Sequence, residues 1–178
     1  DGGGHMVGKE RAVVAQVAPQ RPERQDPVDG LLAPGGALLG AGGDGGSVWM
    51  PLAREIIESG LAASVVIAPI GLGGTRVEDW APGGMLSSRF DRLTAEITRA
   101  GLHVHAILWH QGESDRETDR EAYRATFLAM VRHIRDSGST APFYVARATR
   151  CGDLSSPEIN QVQTELGLGH PQLGIRPG

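Results

Sequence analysis

"HVHAILWHQGESD", residues 103–115, passes without a break from a short apolar run into an imidazole, an amide, a glycine and two carboxylates. Residues 103–109 have the length and composition of a buried strand. The polar cluster then falls at that strand's carboxyl end. The same texture occurs upstream, where "SVVIAPI" (64–70) runs into "GLGGTRVEDW", and downstream in "APFYVARAT" (141–149). Unalternating apolar strands of this kind are buried on both faces.

The segments between them carry helical spacing. In 47–60, Val48, Leu52, Ile56 and Ile57 share a face, with Ser47 as N-cap and Gly60 as stop. In 86–101, Phe90, Leu93 and Ile97 do the same before Gly101. Residues 117–138 place Tyr123, Phe127, Met130, Val131 and Ile134 on one stripe of a long amphipathic helix. A last helix starts near Pro157, capped by Ser155 or Ser156. Strands that alternate with helices predict an α/β fold, a parallel sheet covered by helices on its faces. In such sheets, sites gather at the carboxyl ends of the strands. The loops "GLGGTRVEDW" and "HQGESD" are therefore the candidate site.

At 178 residues, the chain is read as a single domain, 1–178, with residues 1–46 mostly loop around one β-branched patch, Val13–Val17, and an α/β core over about 47–166. A net charge of −4 without long single-sign runs gives no broad basic surface for nucleic acid or anionic lipid. No apolar run reaches the roughly 18 residues of a membrane span. Cys151 is the only cysteine, which excludes an internal disulfide and a cysteine-rich zinc site. No cofactor or metal is expected, and no targeting signal is read, so the compartment stays open. A dinucleotide-binding G-x-G-x-x-G is not met, because no glycine stands at 76, and no Walker pattern occurs.

Glycines at 71, 73 and 74 let the backbone approach a ligand with its N–H groups turned toward an anion, or they serve a tight strand-to-helix turn. Gln111 offers an amide donor and Glu113 a carboxylate that orients neighbours. Asp115 is expected to cap the following helix. His110 is either a base or a packed, hydrogen-bonded side chain. Arg76 and Asp79 either line a cleft or pair with each other, and Trp80 either stacks on a sugar or packs in the core. Thr75 stands beside them as a substrate contact.

"APIGLGGTRVEDWAPGG" followed by "ILWHQGESD" resembles the second and third sequence blocks of the SGNH-hydrolase superfamily, in particular the sialate O-acetylesterase and acetylxylan-esterase-like branch. The resemblance covers roughly residues 30–152. It implies a three-layer α/β/α sandwich and cofactor-free hydrolysis of carbohydrate esters, with acetyl the expected acyl group, by a Ser-His-Asp triad. By position it implies that Gly73 or Gly74 and the Gln111 side chain bind the oxyanion and that Glu113 braces them. His110 occupies a place where the family tolerates tyrosine.

The chain departs from that family at both ends. No serine, threonine or cysteine precedes Ser47, and none of the six histidines has an aspartate three residues before it. Ser47 is read as an N-cap rather than a displaced nucleophile. The chain is thus expected to be a fragment of a longer esterase, the absence of an initiator Met favouring this, or else an inactive relative that binds carbohydrate or serves as a scaffold. A missing first strand would leave an open slot or edge in the sheet, so that the chain would be marginally stable or associate through that edge.

Overall fold

A computed structural model describes residues 11–17, 49–62, 64–148 and 156–178. Ser47, Cys151 and Ser155 lie outside them. The order is β1 (Arg11–Val17), α1 (Trp49–Glu58), β2 (Ser64–Pro69), α2 (Val77–Trp80), α3 (Ser87–Arg99), β3 (Val104–Trp109), α4 (Arg120–Asp136), β4 (Phe143–Val145), α5 (Pro157–Gly169) and β5 (Ile175–Pro177). The strands form one five-stranded sheet in the order β2-β1-β3-β4-β5, every pair parallel. The step from β1 to β2 runs opposite to all later steps. Right-handed crossovers then put α1 on one face and the later helices on the other, which gives the α/β/α layering.

Several sequence expectations change here. The patch Val13–Val17 belongs to β1, a full strand seated between β2 and β3, so the slot expected to be vacant is filled. Self-association through that vacancy loses its premise. A further strand, β5, follows the last helix beyond the expected core boundary at 166. The expected strand over 141–149 is regular, among its described residues, across Phe143–Val145.

The helices end where the sequence says they should. Gly60 and Gly101 adopt φ of 75° and 65° just past α1 and α3. Ser156 accepts the Ile159 N–H, with Pro157 in the first turn of α5. The cap of α4 is Asp119, whose Oδ1 accepts from the N–H groups of Glu121 and Ala122 at 3.0 and 2.9 Å. The expected stripe of α4 is buried throughout, as are Phe90, Leu93 and Ile97 of α3.

Between helices and sheet, Trp109 and Phe127 are fully covered and meet edge to face, with ring centroids 5.7 Å apart. Trp80 reaches Trp109 at 6.2 Å and Phe90 at 5.8 Å, and it too has no exposed surface. Trp80 is therefore core and not a sugar platform. Each such aromatic pair adds about 1 kcal/mol beyond the area it buries. Together they fix the carboxyl end of β3, the platform from which the 110–115 loop departs.

On the outer surface, α4 and α5 are joined by Arg120 and Arg124 to Glu165, which also accepts from Gln161. Hydrogen bonding from Arg124, then Gln161, holds the Glu165 carboxyl below its usual range. A carboxyl whose folded pKa is depressed stabilises the fold above its unfolded pKa, about 4.3, and ceases to do so as pH falls through the folded value. The penalty of Glu165→Gln, read as the shift in urea midpoint, is accordingly expected at neutral pH and to shrink to nothing in strong acid. A pH-independent penalty would remove the ionic account of this clamp.

Candidate active site

In a sheet of order 2-1-3-4-5, the direction of winding reverses at β1, and the crevice at the strands' carboxyl ends opens there. The loops after β2 and β3 flank it. These loops are not neighbours through the sheet, since β1 separates their strands. Side chains make the connection instead.

The Gln111 side chain is buried, and its Nε2 donates to the Thr75 carbonyl at 3.0 Å and to Asp115 Oδ2. Both partners are acceptors only, which fixes which end of the amide is nitrogen. Asp115, 1% exposed, also accepts the Val77 N–H at 2.9 Å through Oδ2 and the Thr118 hydroxyl at 2.9 Å through Oδ1. One carboxylate thus satisfies an orphan N–H at the start of α2, the amide of Gln111, and the turn leading to α4. Asp115 is not the cap of α4, as expected from sequence; Asp119 has that place, and Asp115 ties the two loops together.

Gln111 changes meaning too. Both of its amide protons are taken by Thr75 and Asp115, so in this arrangement it has none left for an oxyanion. Its Oε1 is the atom without a partner. The amide bridges the loops. No acceptor among the described residues meets the N–H of Gly73 or Gly74. Gly74 sits exposed with φ of 76°, a left-handed conformation that suits glycine.

Thr75 is clamped rather than available to a substrate: its hydroxyl donates to the Leu72 carbonyl at 2.8 Å and accepts from Trp80 Nε1 at 3.0 Å. Asp79 is likewise engaged within its own loop. Its Oδ2 accepts the Arg76 N–H at 2.8 Å and so caps the short helix α2. The Arg76 guanidinium projects to solvent beside Glu78 at 3.7 Å rather than pairing with Asp79. It remains exposed at the loop surface.

His110 is about half exposed, with Nε2 3.7 Å from Glu113 Oε1. Glu113 forms a 3₁₀ turn with Ser114 and Asp115, and its Oε2 is buried without a hydrogen-bond partner among the described residues. A buried carboxylate oxygen that no donor meets is costly, and in native proteins it calls for a reason. The turn begins at Gly112, with φ of 148°.

Two residues that sequence reasoning passed over complete the surroundings. Gln163 of α5, 1% exposed, donates from Nε2 to the Gln111 carbonyl at 2.5 Å and to the Tyr123 hydroxyl at 3.0 Å, while its Oε1 accepts the Ala148 N–H at 2.8 Å. Tyr123 was read only as part of an apolar stripe. Burial pushes its phenol far above the usual range, so it stays protonated and donates to the Gln111 carbonyl at 3.4 Å. Gln163 did leave a signal: it is a polar residue among Ile159, Val162 and Leu166 on the buried face of a helix. Among the described residues no group of three or more His, Cys, Asp or Glu is placed to hold a metal, and no helix is long and apolar enough to cross a membrane.

Residues 42–170 match the family described as carbohydrate esterase, sialic acid-specific acetylesterase. The chain belongs to that family. An Arabidopsis thaliana protein named "Probable carbohydrate esterase" is 32% identical over 125 residues, 65% of this chain and 42% of the relative. The chain therefore matches less than half the length of that relative. An X-ray structure of an A. thaliana protein superposes with a TM-score of 0.65 at 19% identity, covering 90% of this chain and 81% of that one. A GDSL-like lipase structure from Parabacteroides merdae gives 0.58 at 11% identity, covering 93% and 75%. At these identities the structures speak for the shared SGNH-type α/β fold alone.

Proposed function

We propose that this carbohydrate-esterase domain acts in serine-type hydrolysis of acyl groups, acetyl foremost, from sugar esters. The observation that carries the reading is the pair of N–H groups at Gly73 and Gly74 that no acceptor among the described residues meets, on a loop tied to the 110–115 loop through Thr75, Gln111 and Asp115. Attack on an ester carbonyl puts negative charge on its oxygen, and each preorganised donor aimed at that charge is worth about 3 kcal/mol in the transition state. Glu113, with its unmet buried oxygen, accepts from a proton-bearing group of the working site. Arg76 and His110, both exposed at the loop rims, contact the sugar.

A second reading, a domain that binds carbohydrate esters without cleaving them, is favoured by one observation. Both amide protons of Gln111, the side chain that the family resemblance assigns to the oxyanion, are engaged by Thr75 and Asp115. Acetate release from O-acetylated sugars, measured beside calorimetric binding of the same sugars, separates the two. Release in proportion to protein overturns the second reading, and neither binding nor release removes both.

A further inference from the structure

We infer that Gln163 is a positioning residue for the site, acting from α5 through the backbone of Gln111. Its amide lies at the meeting of three elements that the sheet alone does not lock together at this end. It donates to the carbonyl of Gln111, the second residue past β3, and accepts from Ala148, the third residue past β4. It also donates to the Tyr123 hydroxyl of α4, which itself reaches the Gln111 carbonyl. Every hydrogen-bonding position of the amide that these contacts use is of the right sense. Turning the amide over would set N–H against the Ala148 N–H and oxygen against the Gln111 carbonyl, so only one orientation is stable.

The consequence is a fixed direction for the Gln111 peptide. Its side chain leaves that peptide toward Thr75 and Asp115, and the next residue, Gly112, turns the chain into the segment that carries Glu113. A Cβ at Gly112 would come within 2.7 Å of Gln163 Nε2, so the amide fits directly over the turn. Gln163 touches none of the groups assigned to substrate. It sets where they stand, and this role rests on the esterase reading above.

Gln163→Met keeps the length of the side chain and removes all three contacts. Leu166→Ala, in the same helix and fully buried, destabilises α5 and leaves the Gln163 hydrogen bonds to Gln111, Tyr123 and Ala148 in place. Hydrogen exchange followed by mass spectrometry on the segment 109–116 should rise about tenfold in Gln163→Met relative to Leu166→Ala, with α3 unchanged in both, because freeing one peptide opens a local unit and not the whole fold. On an acetyl ester, Gln163→Met should lose roughly 10²-fold in kcat with little change in KM, as small misplacement of reacting groups does, while Leu166→Ala keeps its kcat. Equal exchange at 109–116 in the two variants would overturn the role, whatever the activity. Without turnover by the unmutated protein, the exchange result alone decides the positioning of the loop.

Discussion

Gly112→Ala lowers the thermal midpoint by about 10 °C, the shift expected for about 3 kcal/mol in a chain of this size. Two costs combine. The backbone at 112 has φ of 148°, where side chains are rarely accommodated, and holding alanine there costs roughly 1–3 kcal/mol. The added Cβ would also stand 2.7 Å from Gln163 Nε2, 3.0 Å from Ala148 Cβ and 3.1 Å from Ile159 Cγ2. Gln163 cannot yield without releasing Gln111, Tyr123 or Ala148, so the overlap is relieved by moving the loop or helix α5, another roughly 1–3 kcal/mol. Gly138→Ala separates the two terms, since φ there is 96° and a Cβ meets nothing within 4 Å. It should cost about 1 kcal/mol, the backbone share alone. Equal losses in the two variants would show that packing over Gly112 contributes nothing.

Why the sequence revealed some of this fold and hid the rest follows from the range over which each signal acts. The stripe of α4 and the strands 64–70 and 103–109 declare themselves because their apolar spacing is a property of neighbours in the chain. Arg11–Val17 is a strand of comparable length, yet glycine- and proline-rich sequence surrounds it, and its place between β2 and β3 is decided by pairing with residues some fifty and ninety positions away. The strand Ile175–Pro177 is only a few residues long. Its ladder with Phe143–Val145 defines it, and no local pattern does.

The same division runs through the site. Gly73, Gly74, Gln111 and Glu113 stood out as chemistry at strand ends, and the two loops do meet there. What each group does depends on contacts across the fold. Asp115 satisfies every local rule for a helix cap, but Asp119 is better placed for α4, and the nearest orphan donor to Asp115 is Val77 N–H, 38 residues earlier. Thr75 and Asp79 look available to a ligand until Trp80, Leu72 and Arg76 take up their hydrogen bonds. A polar side chain in a strand-end loop is thus a candidate for structure as much as for catalysis, and burial decides between them.

Asp115→Ala is expected to have the largest effect of any single truncation at the site, about 4 kcal/mol, because it strips an acceptor from several donors at once. Val77 N–H is buried at the start of α2 and has no other partner in reach, Gln111 Nε2 loses one of its two acceptors, and the Thr118 hydroxyl loses its own. Asp115→Asn is the informative comparison. Its amide oxygen can still accept from Val77 and Gln111 while its nitrogen donates to the Thr118 hydroxyl, so the connections survive as neutral bonds of roughly half the strength. A loss of about 1.5 kcal/mol is then expected, measured for both variants by urea unfolding with an unchanged slope. An asparagine as damaging as alanine would mean that the negative charge, and not the tie between the loops, is what Asp115 contributes. A loss below about 1 kcal/mol for alanine would mean that the loops hold together without it. With asparagine the tie between the loops after β2 and β3 survives, whereas with alanine the Gln111–Thr75 bond is left to hold it without the Asp115 carboxylate.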